Sequence, residues 1–205
     1  MNRIRAVLLD LGNVLVFHDD AFLFQRMSAW GGADPDHIRT GMLELWDPIN
    51  RGDLSGNELR STVCQLAGSK VPMEAEPFFA LWSSHFRVHH ELLPMVDALL
   101  GQVKVALLSN VNDMHWRFVR PRIPQLEHFD DLVLSYQLRM AKPDPEIFQA
   151  ALARSGLRAE ETAYFDDVPR YVEAAMALGI HARVFTDAPM FRAQLAELGI
   201  VVGSS

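Results

Sequence analysis

The residues of this 205-residue chain that invite chemistry stand at the ends of apolar runs. Asp10 follows AVLL, Ser109 and Asn110 close KVALLSN, Lys142 comes shortly after DLVLS, and Asp166 and Asp167 end TAYFDD. Such runs read as parallel strands buried on both faces, and an open α/β sheet delivers the residues at its carboxyl ends into one crevice. A nucleophilic carboxylate, a hydroxyl donor, a fixed cation and two further acids are what metal-assisted phosphoryl transfer needs. The acids hold a hard divalent cation such as Mg²⁺, while hydroxyl and ammonium neutralise the transferring oxygens. Each residue alone has a plainer reading: Asp10 opens a turn, Asp166-Asp167 caps a helix, Lys142 is a solvated loop charge. Their joint arrival favours the site. Ser109 lacks a G-x-S-x-G frame, which sets aside a serine hydrolase.

The totals narrow the class. At 49% apolar and 22% charged residues the chain is globular and soluble, and its formal net charge of -7 disfavours nucleic-acid or anionic-membrane partners. No apolar segment reaches the ~18 residues of a membrane span, and no repeat is present. Arg3 and Arg5 ahead of an apolar run imitate an export signal, but Asp10, Gly12 and Asn13 interrupt it. The single cysteine, Cys64, reads as a small buried hydrophobe in a cytoplasmic protein. Gly203-Ser205 reads as a frayed tail.

The elements that must position the polar set fall into two groups. Val7 to Asp10 reads as the first strand, followed by a break at Gly12-Asn13. Four helices follow without a strand: Ala21 to Trp30; one from Asp34-Pro35, ended by Asp47-Pro48; one opened by the Ser55/Glu58 capping box; and one with Phe78, Trp82 and Phe86 inside. From about His89 helix and strand alternate, with strands at Val103–Ser109, Asp131–Ser135, Thr162–Asp166 and His181–Phe185. The expectation is a doubly wound parallel α/β sheet, residues 1-17 and 87-205, interrupted by a helical cap, residues 18-86.

In this order the motifs resemble those of the haloacid dehalogenase (HAD) superfamily: LLDLGNVLV the first, ALLSN the second, Lys142 in MAKPDPEIF the third, YFDD the fourth. The DLGN turn and Arg51-Gly52-Asp53-Leu54-Ser55 are similar to the α-D-glucose-1-phosphate phosphatase-like branch. The resemblance implies a Rossmann-like core with a mobile cap and a hydrolase acting on a small phosphorylated metabolite, a sugar phosphate among the candidates. It implies Asp10 as nucleophile and Mg²⁺ held by Asp10, the Gly12 carbonyl and Asp167, with Asp166 beside them. Ser109 and Asn110 would donate to the phosphoryl group, and Lys142 would pair with both phosphate and Asp10, keeping Asp10 ionised.

Two positions depart from the superfamily pattern. Gly12 stands where an acid/base Asp is usual, and its loss costs ~10²- to 10⁴-fold unless another group serves; His18, Asp19, Asp20 or water are the candidates. Tyr171 stands where an Asn near the metal is common. Two alternatives follow: a metal-independent 2-haloacid dehalogenase, which the acidic pair opposes, and a binding or regulatory protein with weak or no turnover because Gly12 replaces the usual acid/base Asp. His85, His89 and His90 have spacing for zinc on a helix, but no carboxylate or cysteine completes a site there, so His85 reads as a polar neighbour of the cap core or hinge. Arg51-Gly52-Asp53 reads as a turn and Glu160-Glu161 as a solvated pair. Monomer and homodimer are both compatible with the sequence.

Overall fold

A computed structural model describes residues 3–202; the expected frayed tail lies outside them. The chain opens with β1 (Ala6–Leu9) and β2 (Val16–His18). Helices α1 (Asp20–Gly31), α2 (Pro35–Asn50), α3 (Gly56–Leu66) and α4 (Ala75–Trp82) come next, and β3 (Phe86–Val88) closes the insertion. Then α5 (Leu93–Leu99), β4 (Lys104–Ser109), α6 (Asp113–Val119), β5 (Asp131–Leu134), α7 (Ser135–Leu138), α8 (Pro145–Ser155), β6 (Thr162–Asp166), α9 (Pro169–Ala177), β7 (His181–Val184) and α10 (Ala188–Glu197) alternate.

Five strands form one parallel sheet in the order β5-β4-β1-β6-β7, with β1 at its centre. Alternate residues of each strand enter two different cores. Val7, Leu9, Leu107 and Phe165 pack with α5, α6 and α10 on one face, while Leu8, Leu108 and Tyr164 pack with α8 and α9 on the other. Both faces are covered, so the strands read as continuous apolar runs. The four inserted helices make a separate core from Leu23, Met27, Ile38, Met42, Val63, Phe78 and Trp82, with Cys64 buried in it. This is a Rossmann-like α/β core with a helical cap. No helix among the described residues is long and apolar enough to cross a membrane.

Three local expectations change. After the expected Gly12-Asn13 break the chain resumes as a second strand, β2, before the helices: the backbone N–H groups of Leu15 and Val16 both donate to the Leu11 carbonyl and Asn13 takes the left-handed conformation at φ 51°. Asn tolerates that region better than most residues. Asp47-Pro48 does not end α2, which continues to Asn50 with Pro48 inside its last turn. The proline removes a donor to the Glu44 carbonyl, and Glu44 is exposed to water that can replace it. Phe86 belongs to β3 and not to the fourth helix, which stops at Trp82.

β2 and β3 pair antiparallel, with His18 opposite Phe86, and carry the chain into and out of the helical cap. The expected boundaries at 17/18 and 86/87 cut this two-stranded hinge. A second bridge lies at the Arg51-Gly52-Asp53 turn. Gly52 has φ 70°, and a Cβ there would meet the Tyr136 carbonyl oxygen at 2.7 Å, so only glycine fits. Arg51 reaches Asp144 at 2.8 Å, Arg139 reaches Asp53 at 2.6 Å, and the Ser135 hydroxyl donates to the Asn50 carbonyl at 2.6 Å.

Candidate active site

The parallel register brings the strand-end residues together. Asp10 follows β1, Ser109 ends β4 and Asp166 ends β6, and carboxylate oxygens of Asp10, Asp166 and Asp167 lie within 4.8 Å of one another. Lys142, fully buried, donates to Asp10 Oδ1 at 2.7 Å, to Asp166 Oδ2 at 2.6 Å and to the Leu108 carbonyl at 3.1 Å. All three ammonium protons therefore have acceptors. Asp166 is saturated as well: Oδ2 also accepts from the Tyr164 hydroxyl, and Oδ1 accepts from the Val168 N–H at 2.8 Å. It stands behind the lysine, whereas Asp10 and Asp167 face the cavity.

Charge decides what this cluster can hold. Three carboxylates meet one ammonium. Burial pushes Asp10 up to about 7; Lys142 pulls it down and Asp166 raises it further. The expectation that the lysine alone keeps Asp10 ionised is thus too simple. Burial also lowers Lys142, but the Asp10 and Asp166 carboxylates more than offset it, so its pKa ends above the usual range. The excess of negative charge and the all-oxygen donor set fit a hard divalent cation such as Mg²⁺.

The remaining expected residues occupy distinct places. Ser109 is buried and lines the cavity. Asn110 lines it too, but its amide clamps the backbone of Lys142, accepting from its N–H at 2.8 Å and donating to its carbonyl at 2.9 Å. That clamp holds the lysine backbone, and Nδ2 also lies 3.5 Å from the Tyr171 hydroxyl. Gly12 lines the cavity. Tyr171 forms a wall, its ring 5.1 Å from the Lys142 ammonium.

Sequence reasoning missed Asn13. Its Nδ2 donates to Asp167 Oδ2 at 2.8 Å, giving Asp167 the support that Tyr171 cannot. The same amide faces His18 Nε2 at 3.2 Å and its oxygen accepts from the His18 backbone N–H at 3.3 Å. The only signal in the sequence was an Asn directly after Gly12, in a turn that an Asn can enter. Tyr164 was missed because it reads as one more apolar strand residue.

The Gly12 departure has a structural answer. A Cβ built on Gly12 would lie 3.2 Å from His18 Nε2 and 3.8 Å from Asp10 Oδ2. The His18 imidazole therefore stands where a side chain at position 12 would point. Its Nδ1 faces Asp20 Oδ1 at 3.3 Å. A carboxylate only accepts and the Asn13 amide nitrogen only donates, so Nδ1 carries the proton and Nε2 presents its lone pair. The hydrogen bond to Asp20 raises the pKa of His18 against the effect of burial. Asp19 is committed elsewhere, capping α1 by accepting from the Phe22 N–H at 3.0 Å.

His85 sits where the chain leaves the cap, as expected, but with an acidic neighbour that the sequence did not show. His89 turns away, its Nδ1 at 2.8 Å from the Val14 carbonyl oxygen, but His85 points at Asp20, with Nε2 3.7 Å from Oδ1. Burial lowers the His85 pKa to about 4. Glu160-Glu161 pairs with Arg158 at the surface.

Apart from Asp166, the set opens into one cavity of about 290 Å³ at the carboxyl edge of the sheet, roofed by Trp46 and Asn50 of the cap and bordered by Arg170. A larger, more open cleft of about 1020 Å³ lies at the opposite edge, around Arg3, Leu100 and Lys104, and contains none of the acidic set.

A parallel sheet with an acid-lysine cluster at its carboxyl edge and a helical cap above it defines a capped α/β hydrolase. Residues 4–179 match the haloacid dehalogenase-like hydrolase family, and the chain belongs to that family. A D-ribitol-5-phosphate phosphatase from Bacteroides thetaiotaomicron is 31% identical over 190 residues, spanning 86% of this chain and 89% of the relative. The crystal structure of a HAD family enzyme from the same organism superposes with a TM-score of 0.83 at 27% identity, covering 93% of this chain and 100% of that one. A second structure of that enzyme, in complex with magnesium and inorganic phosphate, gives 0.77 at 26% identity, covering 92% and 100%.

Proposed function

We propose that the chain is a Mg²⁺-dependent phosphomonoester hydrolase acting on a small phosphorylated metabolite through an aspartyl-phosphate on Asp10. The observation that carries this reading is the convergence of Asp10, Lys142, Asp166 and Asp167 at one sheet edge, with more negative charge than the lysine balances. Bound by Asp10 and Asp167 with the Gly12 carbonyl, Mg²⁺ supplies charge neutralisation for the transferring phosphoryl oxygens. The complex of a related enzyme with magnesium and phosphate supports this assignment.

The chain's own residues do the rest. An Asp10 oxygen attacks phosphorus, the bond from phosphorus to the ester oxygen breaks, and protonated His18 gives its Nε2 proton to the departing alkoxide. In the second half His18 Nε2 takes a proton from water, the resulting hydroxide attacks phosphorus, and Asp10 leaves as the carboxylate. Asp20 holds the ring, Lys142 stabilises the phosphoryl oxygens, and Ser109 donates its hydroxyl to them. Asn110 fixes the lysine. The cap, residues 18-86, excludes water when closed.

The substrate class is a sugar or polyol phosphate. A cavity of about 290 Å³, walled by Asn13, Asn50, Arg170 and histidines, suits a short hydroxylated chain. The D-ribitol-5-phosphate phosphatase relative and the glucose-1-phosphate-phosphatase-like turns support the same class. The test is Mg²⁺-dependent phosphate release from a panel including ribitol 5-phosphate and glucose 1-phosphate, with Asp10→Asn as control. Release from polyol or sugar phosphates that EDTA abolishes supports the reading, and no release above the control overturns it. EDTA-resistant halide release from a 2-haloacid would move the chain to the dehalogenase class.

A further inference from the structure

We propose a second cation site, distinct from the carboxylate set, formed by His18 Nδ1, Asp20 Oδ1 and His85 Nε2 and suited to a borderline metal such as Zn²⁺. Ligand atoms of these three residues lie within 4.8 Å of one another, with His18–Asp20 at 3.3 Å and His85–Asp20 at 3.7 Å. Zinc bonds of about 2.0–2.2 Å in a tetrahedron place ligand atoms roughly 3.3 Å apart, so small adjustments complete the geometry. Two imidazoles and one carboxylate favour Zn²⁺ or Co²⁺ over Mg²⁺, which keeps to oxygen donors. The fourth position opens into the cavity that all three residues line.

The state of the ligands supports the site. His85 is buried beside Asp20 and neutral, the form in which imidazole binds metals. Asp20 is half exposed, which gives an ion a route in. Asn13 separates this set from the carboxylates, touching Asp167 with one amide proton and His18 Nε2 with the other.

Placement gives the site a consequence. His18 ends β2, Asp20 begins α1, and His85 immediately precedes β3, so the ligands come from both crossings between core and cap. A cation held by all three pins the hinge. It also moves the His18 proton from Nδ1 to Nε2, keeping the ring neutral but removing the lone pair that faces Asn13. If His18 serves in proton transfer, which rests on the proposed function, Zn²⁺ inhibits the Mg²⁺-loaded protein.

The test titrates Co²⁺ into the full chain held at saturating Mg²⁺ and reads visible absorption and stoichiometry. One bound equivalent with the intense bands of four- or five-coordinate cobalt, displaced by Zn²⁺, is expected. Asp20→Asn and His85→Gln should each weaken binding ~10- to 100-fold or more, with circular dichroism confirming the fold. No bound equivalent, a weak six-coordinate spectrum, or unchanged affinity in folded Asp20→Asn overturns the site. Mg²⁺-dependent turnover without cobalt binding overturns only this inference. Cobalt binding in a protein that hydrolyses no phosphomonoester supports this site and overturns the proposed function.

Discussion

The two walls of the cavity are built on opposite principles. On the sheet side, Asp10, Lys142 and Asp166 are charged, buried and locked to one another by bonds of 2.6–2.7 Å. On the hinge side, His18, Asp20 and His85 make longer contacts of 3.3–3.7 Å, and Asp20 is open to solvent. The sheet wall fixes charge in place, so it suits attack at phosphorus, whose geometry does not vary among phosphomonoesters. The hinge wall carries its titratable groups at the two points where the cap joins the core. In the proposed mechanism, attack at phosphorus falls to the sheet wall and proton transfer to the wall built by His18 and Asp20.

The comparison breaks most sharply at the nucleophile. Asp10→Asn keeps the shape but removes the attacking oxyanion, and phosphate release should fall by a factor on the order of 10⁴ or more, measured as initial rate at saturating Mg²⁺. Residual turnover near wild type would move the chemistry off this wall.

His18→Gln tests the other wall and should be selective. Alkyl phosphates, whose leaving alkoxides need a proton, should slow by ~10²- to 10⁴-fold, whereas p-nitrophenyl phosphate, which leaves as a stable phenolate, should slow far less in its phosphorylation step. Single-turnover kinetics isolates that step. Equal losses on both esters would mean that His18 only holds structure.

A smaller effect follows from Asp10 titration in EDTA-treated protein. Burial raises its folded pKa from 3.8 to about 7, so the folded state holds the proton more tightly than the unfolded chain. Its contribution to stability is complete below pH 3.8 and is lost as pH rises through about 7. Relative to Asp10→Asn, wild type should lose melting temperature across that window, and Mg²⁺ should restore it. A difference that stays flat or reverses would refute the assignment of net negative charge to the sheet wall.

The smallest change is expected outside both walls. Arg139→Ala removes an exposed ion pair with Asp53 and should cost under ~1 kcal/mol in urea unfolding, less in high salt.

The sequence made the sheet wall legible because each of its members ends or follows an apolar strand, and parallel pairing converts that position into proximity. The hinge wall was only half visible. His18 and Asp20 stood out beside Gly12, but His85 appeared to lack an acidic partner because Asp20 is 65 positions earlier and meets it only through the β2–β3 pairing. Pro48 misled for a different reason: a proline near the end of an exposed helical turn lacks a donor that water can replace. Asn13 supports Asp167 through a left-handed turn, and backbone conformation of that kind has no clear signature in side-chain periodicity.

The central place of β1 has a consequence for how the molecule comes into being. Its neighbours, β4 and β6, begin 98 and 156 residues further along than Ala6. Such pairings close long loops and form late. A chain emerging amino-terminus first therefore releases its nucleophile early and acquires the opposing acids only when nearly all of it is available. Until β6 docks, Asp10 lacks Asp166 and Asp167 beside it, so the site is complete only once that long-range pairing has formed.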